Sequence, residues 1–224
     1  MPSTSGGRSG PRPTLDPEAI VDAALRLARQ PDPTAMSFRA LGRELGTDPT
    51  AVYRHFRDRN ELVEAALDRL MLDAVAAVPD DAPWRDRLRA VATGYLDAVV
   101  AHPVVGVEAG HRTTGGPGEL ALLEVLLAAL TEAGLSPEQV ARYYPLLAGY
   151  AASMAASQAA HRLQDDRVQE ASERAWVATQ ALLDAERYPT AVVLRDQVSR
   201  LRDADVFRSG FELLLDAVAA ATET

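Results

Sequence analysis

The residues best suited to chemistry lie between Ser37 and Arg59, in the run SFRALGRELGTDPTAVYRHFRDR. The chemistry is recognition of DNA. Thr50 and Arg54 stand four residues apart, so a helix projects both from one side. An arginine there can fork onto guanine, and a threonine can donate to a base edge or meet a thymine methyl. Tyr53, Arg39, Ser37, Thr47 and Arg59 carry the hydroxyls and charges of phosphate contacts, which fix register without reading sequence. His55 suits either task.

Two short helices must hold these groups. Gly46 falls where the first must stop, because glycine takes the left-handed conformation of a residue just past a helix without steric cost. Asp48 offers an N-cap oxygen, and Pro49 follows at the first helical position, where its missing N–H costs nothing. Leu41, Leu45, Val52 and Phe56 recur at helical spacing and are expected to bury against one another. That leaves Pro49, Thr50, Tyr53 and Arg54 on the outward side of a recognition helix over 48–56.

The stretch from Leu45 to Val63, LG-x-x-x-x-AVYRHFRDRNELV, resembles the signature of TetR-type transcriptional regulators, and the likeness runs from near Leu15 to about Val63. Tyr53, His55 and Phe56, followed by Arg59, are its most specific part. Arg59 stands where the family commonly has lysine, which keeps the charge but changes the hydrogen-bond geometry. The segments AHP at 101–103, GPGELALLEVLLAALTEAGLS at 116–136 and YP…FRSGFELLLDAV at 188–218 resemble the C-terminal domain of the tetracycline-repressor-like branch. The resemblance implies a small helical DNA-binding head on a larger helical, ligand-sensing body, working as a two-fold dimer.

Length and composition agree with such a division. The chain has 224 residues, 47% of them hydrophobic, and no cysteine. That removes disulfides, thiolate metal sites and cysteine nucleophiles, and it fits a cytoplasmic protein. The opening MPSTSGGRSGPRPT has no apolar core, so neither a signal peptide nor an anchor is expected. Charges such as Asp68, Asp73, Glu119 and Glu124 interrupt the apolar stretches, so no membrane span is expected. The net charge of −9 argues against a nucleic-acid partner until it is divided. Through Leu72 ten arginines meet ten acids; beyond it thirteen arginines meet twenty-two. An acidic body behind a neutral head suits a protein whose body points away from phosphate.

The pattern is all-α, with no alternating strand. Residues 1–13 form an arm carrying Arg8 and Arg12, read as a plain disordered tail or, alternatively, as a source of added contacts to DNA. A head of helix-turn-helix type spans 14–61, with its motif at about 36–55, and the body spans 62–224. Asp16 caps a first helix to about Arg29. Asp58 and Glu61 form a capping box for a long helix over 58–77 that joins head to body. Further helices are expected at Trp84–His102, Glu119–Ala133, Pro137–Arg162, Arg167–Ala185, Pro189–Arg202 and Asp205–Ala221. The glycine-rich stretch Gly106–Gly118 is expected to be loop or short helix.

Within the body, GYAASMAASQAA at 149–160 is nearly all small residues, and the last helix offers Phe207, Phe211, Leu214, Leu215 and Val218. Helices at about 137–162 and 205–221 are therefore expected to form a homodimer seam, which an arginine at Ala155 should break. Tyr95, His102, Met154, Gln158 and Trp176 are the chosen ligand contacts, as polar or aromatic anchors in an apolar cavity. The alternative for each ring is plain core. His102, Glu108 and His111 lack a regular metal-ligand spacing, and no nucleophile elbow or phosphate loop occurs, so no cofactor, metal or enzymatic role is expected. The expected function is a repressor that leaves a near-palindromic DNA operator when a small, largely apolar effector binds. The alternatives are an activator, an effector-independent regulator, or a helical ligand-binding or enzymatic protein without DNA function.

Overall fold

The computed structural model describes residues 15–79 and 81–222. Among these there are eleven helices and no strand: α1 (Pro17–Ala28), α2 (Phe38–Glu44), α3 (Pro49–Tyr53), α4 (Arg59–Ala76), α5 (Trp84–Ala101), α6 (Pro103–Gly106), α7 (Pro117–Glu132), α8 (Pro137–Arg162), α9 (Asp166–Ala181), α10 (Pro189–Ser199) and α11 (Asp203–Ala221). The arm with Arg8 and Arg12 lies outside the described residues.

The first three helices make a head. Asp16 accepts the Ala19 N–H at 2.7 Å and starts α1. Its inward stripe includes Ile20, Ala23, Ala24 and Ala28. Ile20, Met36, Leu41, Val52 and Leu62 are wholly enclosed. Each such aliphatic side chain contributes about 1.5–3 kcal/mol by leaving water. Gly42 permits the sharp return between α2 and α3, since a Cβ there would lie 2.9 Å from the Thr47 carbonyl. Gly46 takes φ +62° to end the first of the pair.

Helix α4 runs out of the head and into the body. It packs on α1 at one end and on α5 and α7 at the other. Its N-cap Asp58 accepts the Glu61 N–H at 3.0 Å, but the return half of the expected capping box is shifted. The Glu61 carboxylate takes the Arg57 N–H at 2.7 Å instead of that of Asp58.

Pro103 does more than end α5. It opens the one-turn α6, which turns the chain beneath α8. The small residues of α8 explain how close this packing is. Ala151, Ala155 and Ala159 face inward and are buried, and a Cβ on Gly106 would fall 2.8 Å from the Ala159 Cβ. The small stripe thus serves approach within the subunit, which corrects the expected use of Ala155 in a seam. The outward face of α8 is instead Leu146, Gly149, Ser153, Ser157 and Ala160.

Helix α11 lies against α8 and α5. Phe207 and Phe211 point inward, where both rings meet Tyr150, whose hydroxyl donates to the Val206 carbonyl at 3.0 Å. Arg85 bonds Glu212 at 2.8 Å and Arg89 bonds the same carboxylate, which holds Glu212 at about 2, far below its ordinary value. Leu213, Ala217 and Ala220 remain exposed on the other side. Helices α9 and α10 differ from the rest, because none of their described side chains is buried.

Candidate nucleic-acid interface and effector cavity

The α2–α3 unit exposes most of the groups that sequence patterning assigns to DNA. Ser37, Arg39, Thr50, Tyr53, Arg54 and His55 are exposed; Thr47, Pro49 and Arg59 are half-buried. Val52 and Phe56 face the core, while Leu45 is only half-buried at its edge. Helix α3 is shorter than the expected 48–56. Asp48 caps it by accepting the Thr50 N–H at 2.8 Å, and it closes at Tyr53, with His55 and Phe56 both donating to the Val52 carbonyl. Arg54 keeps helical backbone as the C-cap, so it remains one turn beyond Thr50. Pro49 is partly turned inward, since its ring packs over Gly42.

Two further details set the chemistry of this face. The Tyr53 ring is 59% exposed, yet it rests edge-on against Phe38 with centroids 4.4 Å apart, so α2 fixes where its hydroxyl is presented. Ser37 caps α2 by accepting the Ala40 N–H at 3.3 Å, which leaves its own proton to donate outward. Arg57 is engaged with Glu61, whereas Arg39 and Arg54 form no ion pair among the described residues. These unpaired guanidiniums can meet phosphate or base without first breaking a bridge.

From this face, α4 leads to a cavity of about 350 Å³ in the body. Val91, Leu122, Leu126, Leu147 and Phe211 supply apolar wall, and Arg112 and Glu119 supply charge. Of the five chosen contacts only Tyr95 lines it. Its hydroxyl is buried and meets no hydrogen-bond partner among the described residues. Burial, helped by the negative charge of Glu119, pushes the phenol up to about 12.

The other four lie elsewhere. His102 is buried at the α5–α6 junction, bonded to Ala98 and Arg29 rather than facing the cavity. Met154 packs against the core and Gln158 follows one turn later on α8, and neither lines the cavity. The Gln158 Nε2 is nevertheless buried without a partner among the described residues. Trp176 is 52% exposed on α9, which stands clear of the body. Polar, aromatic and thioether side chains suit a pocket, a junction or a surface alike, so sequence alone did not separate these places.

Several lining residues escaped sequence reasoning because they sit in the glycine-rich segment read as loop or short helix. Arg112 lines the cavity, bonds Glu108 at 2.8 Å, and reaches α4 through bonds to Glu64 at 3.3 Å and Asn60 at 3.1 Å. Burial raises the Glu108 carboxyl, but the bond to Arg112 and the charges of Arg112, His111 and Arg59 bring it below its ordinary value. Nearby, Asp68 of α4 does the capping that Gly116 cannot. It accepts the Gly118 N–H at 2.9 Å and the Glu119 N–H at 3.0 Å at the start of α7. The Thr114 hydroxyl sits between the Asp68 and Glu119 carboxylates, at 2.8 and 3.1 Å, and donates to one at a time. The long helix is therefore bonded to two parts of the cavity wall. Among the described residues no group of three His, Cys, Asp or Glu could hold a metal ion, and no helix is long and apolar enough to cross a membrane.

Comparison with known proteins gives a consistent picture. Residues 20–66 match the family model described as bacterial regulatory proteins, tetR family, and residues 78–222 match that of the tetracyclin repressor-like C-terminal domain. The HTH-type transcriptional repressor DrrR1 of Streptomyces coeruleorubidus is 27% identical over 214 residues, spanning 93% of this chain and 79% of its own. The transcriptional regulator SCO7222, a TetR from Streptomyces coelicolor, superposes with TM-score 0.75 at 30% identity, over 93% of this chain and 99% of that one. ActR from the same organism, solved with actinorhodin, superposes with TM-score 0.78 at 22% identity, over 94% of this chain and 99% of its own.

Proposed function

The chain belongs to the TetR family of DNA-binding transcriptional regulators, and from that premise we propose that it is a dimeric repressor released from its operator by a small, largely apolar effector. Helix α3 enters the major groove with Thr50 and Arg54 toward base edges and Pro49 beside them. Ser37, Arg39, Thr47, Tyr53 and Arg59 hold phosphates on either side, and His55 extends the same surface. The observation that carries this reading is the exposed, unpaired state of Arg54 next to a Tyr53 fixed by Phe38, above a buried Val52.

Two copies associate through the outward faces of α8 and α11, where Leu146, Gly149 and Ser153 meet Leu213 and Ala217. A two-fold pair of heads then presents two α3 helices about 34–36 Å apart, one DNA turn, to a near-palindromic site. The effector occupies the cavity beside Tyr95. Its arrival moves Arg112 and the α7 N-terminus, both bonded to α4, and α4 changes the spacing of the heads. DNA and effector then oppose each other through one reciprocal coupling free energy. That ActR, a protein of the same fold, was solved with a small molecule supports a ligand in the body.

The test is a gel shift with DNA flanking the protein's own gene. A repressor gives a discrete complex whose affinity falls steeply as salt rises. Absence of any salt-dependent complex would sink the reading.

A further inference from the structure

We propose that the cavity takes an uncharged, ring-bearing molecule with a carbonyl-type oxygen that accepts a hydrogen bond from Tyr95, and that it rejects anions. This rests on reading the cavity as the effector site and adds the chemistry of the effector.

Tyr95 supplies the first argument. It is 3% exposed and lines the cavity, and its hydroxyl has no partner among the described residues. Buried hydroxyls are almost always hydrogen-bonded, so one left free beside a cavity marks where a ligand atom belongs. With its ionisation pushed up to about 12, the phenol keeps its proton at any ordinary pH and stays a donor. The ligand must bring the acceptor.

The walls supply the second. Val91, Leu122, Leu126 and Leu147 offer aliphatic surface, and Phe211 and Tyr144 add ring surface. Ala148, Ala151 and Ala152 on α8 leave room for a broad, flat body. A volume of about 350 Å³ holds two or three fused rings but no large macrocycle.

Charge supplies the third. At the polar end Glu119, Arg112 and His111 line the cavity, and the Glu119 charge is the one felt by Tyr95. Arg112 is already engaged by Glu108 and Glu64. A carboxylate on the ligand beside Tyr95 would face Glu119 and find the lining guanidinium of Arg112 already engaged, and like charges at close range in a partly buried site are costly. A neutral acceptor escapes that penalty.

Calorimetric titration of the full chain with fluorenone, fluorene and a fluorenone carboxylate tests each element. These three share one ring system and differ only in the carbonyl or the charge. Wild type should bind fluorenone about tenfold or more tighter than fluorene, and the carboxylate about tenfold or more weaker than fluorenone. Tyr95→Phe should bring fluorenone down to the affinity of fluorene while fluorene still binds, which also shows that the variant's cavity is intact. Glu119→Gln should narrow the gap between fluorenone and its carboxylate. Equal binding of fluorenone and fluorene by wild type, a preference that survives Tyr95→Phe, tight binding of the carboxylate, or no binding of any probe would each overturn the proposal. A gel shift of the unaltered protein runs in parallel. Its failure with the probe pattern intact counts against the repressor reading alone, and the converse counts against this ligand class alone.

Discussion

Arg29, which closes the first helix of the head, donates its Nε–H to Nε2 of His102 in the body at 3.3 Å. The acceptor nitrogen must be bare, so the ring proton resides on Nδ1, which donates to the Ala98 carbonyl at 2.7 Å. His102 is therefore a neutral pin between the two parts of the molecule.

That pin predicts a pH dependence. Burial lowers the His102 pKa from its ordinary 6.5 and the charge of Arg29 lowers it further, against the raising effects of the Ala98 bond and Asp73. The unfolded ring thus binds a proton more readily than the folded one. Its contribution to stability is present above pH 6.5 and is lost as pH falls toward the lowered value. Thermal midpoints should drop between about pH 7 and 5.5, and His102→Asn, which keeps a donor but cannot titrate, should flatten that slope. An identical slope in the variant would show that other groups cause it.

On the reading face, Tyr53→Ala and Arg54→Ala should each weaken operator binding by about 1–3 kcal/mol, roughly fivefold to 150-fold, with helix content unchanged. Tyr53→Phe keeps the ring on Phe38 and loses only the hydroxyl, so it should fall between wild type and Tyr53→Ala. Unchanged affinity of both alanine variants, in gel shifts at one salt concentration, would move the DNA surface elsewhere.

Asp68 holds the start of α7 with two backbone N–H bonds and faces the Thr114 hydroxyl. Asp68→Ala strands those donors in a buried site and should destabilise the fold by about 2–4 kcal/mol, read as a lower urea midpoint. Asp68→Asn retains one acceptor and should cost less. A midpoint unmoved by Asp68→Ala would mean that the cap is not needed.

Association can be separated from folding on α8 and α11. Leu213 is 69% exposed, and a Cβ on Gly149 meets nothing, so Leu213→Arg and Gly149→Arg fit the subunit. Both should sediment as folded monomers. Ala155→Arg, placed at a fully enclosed position, should lose helical signal instead. A Leu213→Arg protein that remains dimeric would put the seam on another face.

The helices were legible because their ends carry local instructions. Asp16–Pro17, Asp48–Pro49 and Ser136–Pro137 each start a helix, and Gly46 and Gly134, with φ +62° and +97°, each stop one. The exposed sides of Thr50, Tyr53 and Arg54 followed from spacing alone. The cavity did not. Arg112 and Glu119 reach it only because a glycine-rich turn folds back on α4, and no periodicity encodes that return. Small residues on α8 were ambiguous for a similar reason. Ala155 and Ser153 look alike in sequence, and only the placement of the helices packed on α8 decides which one is enclosed. Trp176 and His102 show the same limit: an amphipathic ring suits a pocket, a junction or an outer surface equally well.

Helices α9 and α10 carry Trp176, Val177, Val193 and Leu194 into water when the subunit stands alone. A newly made copy without a companion offers this limb to proteases and to chance adhesion. If pairing shelters any of it, survival of the protein rises with its own abundance through mass action. A scarce copy of this chain would then be cleared sooner than an abundant one.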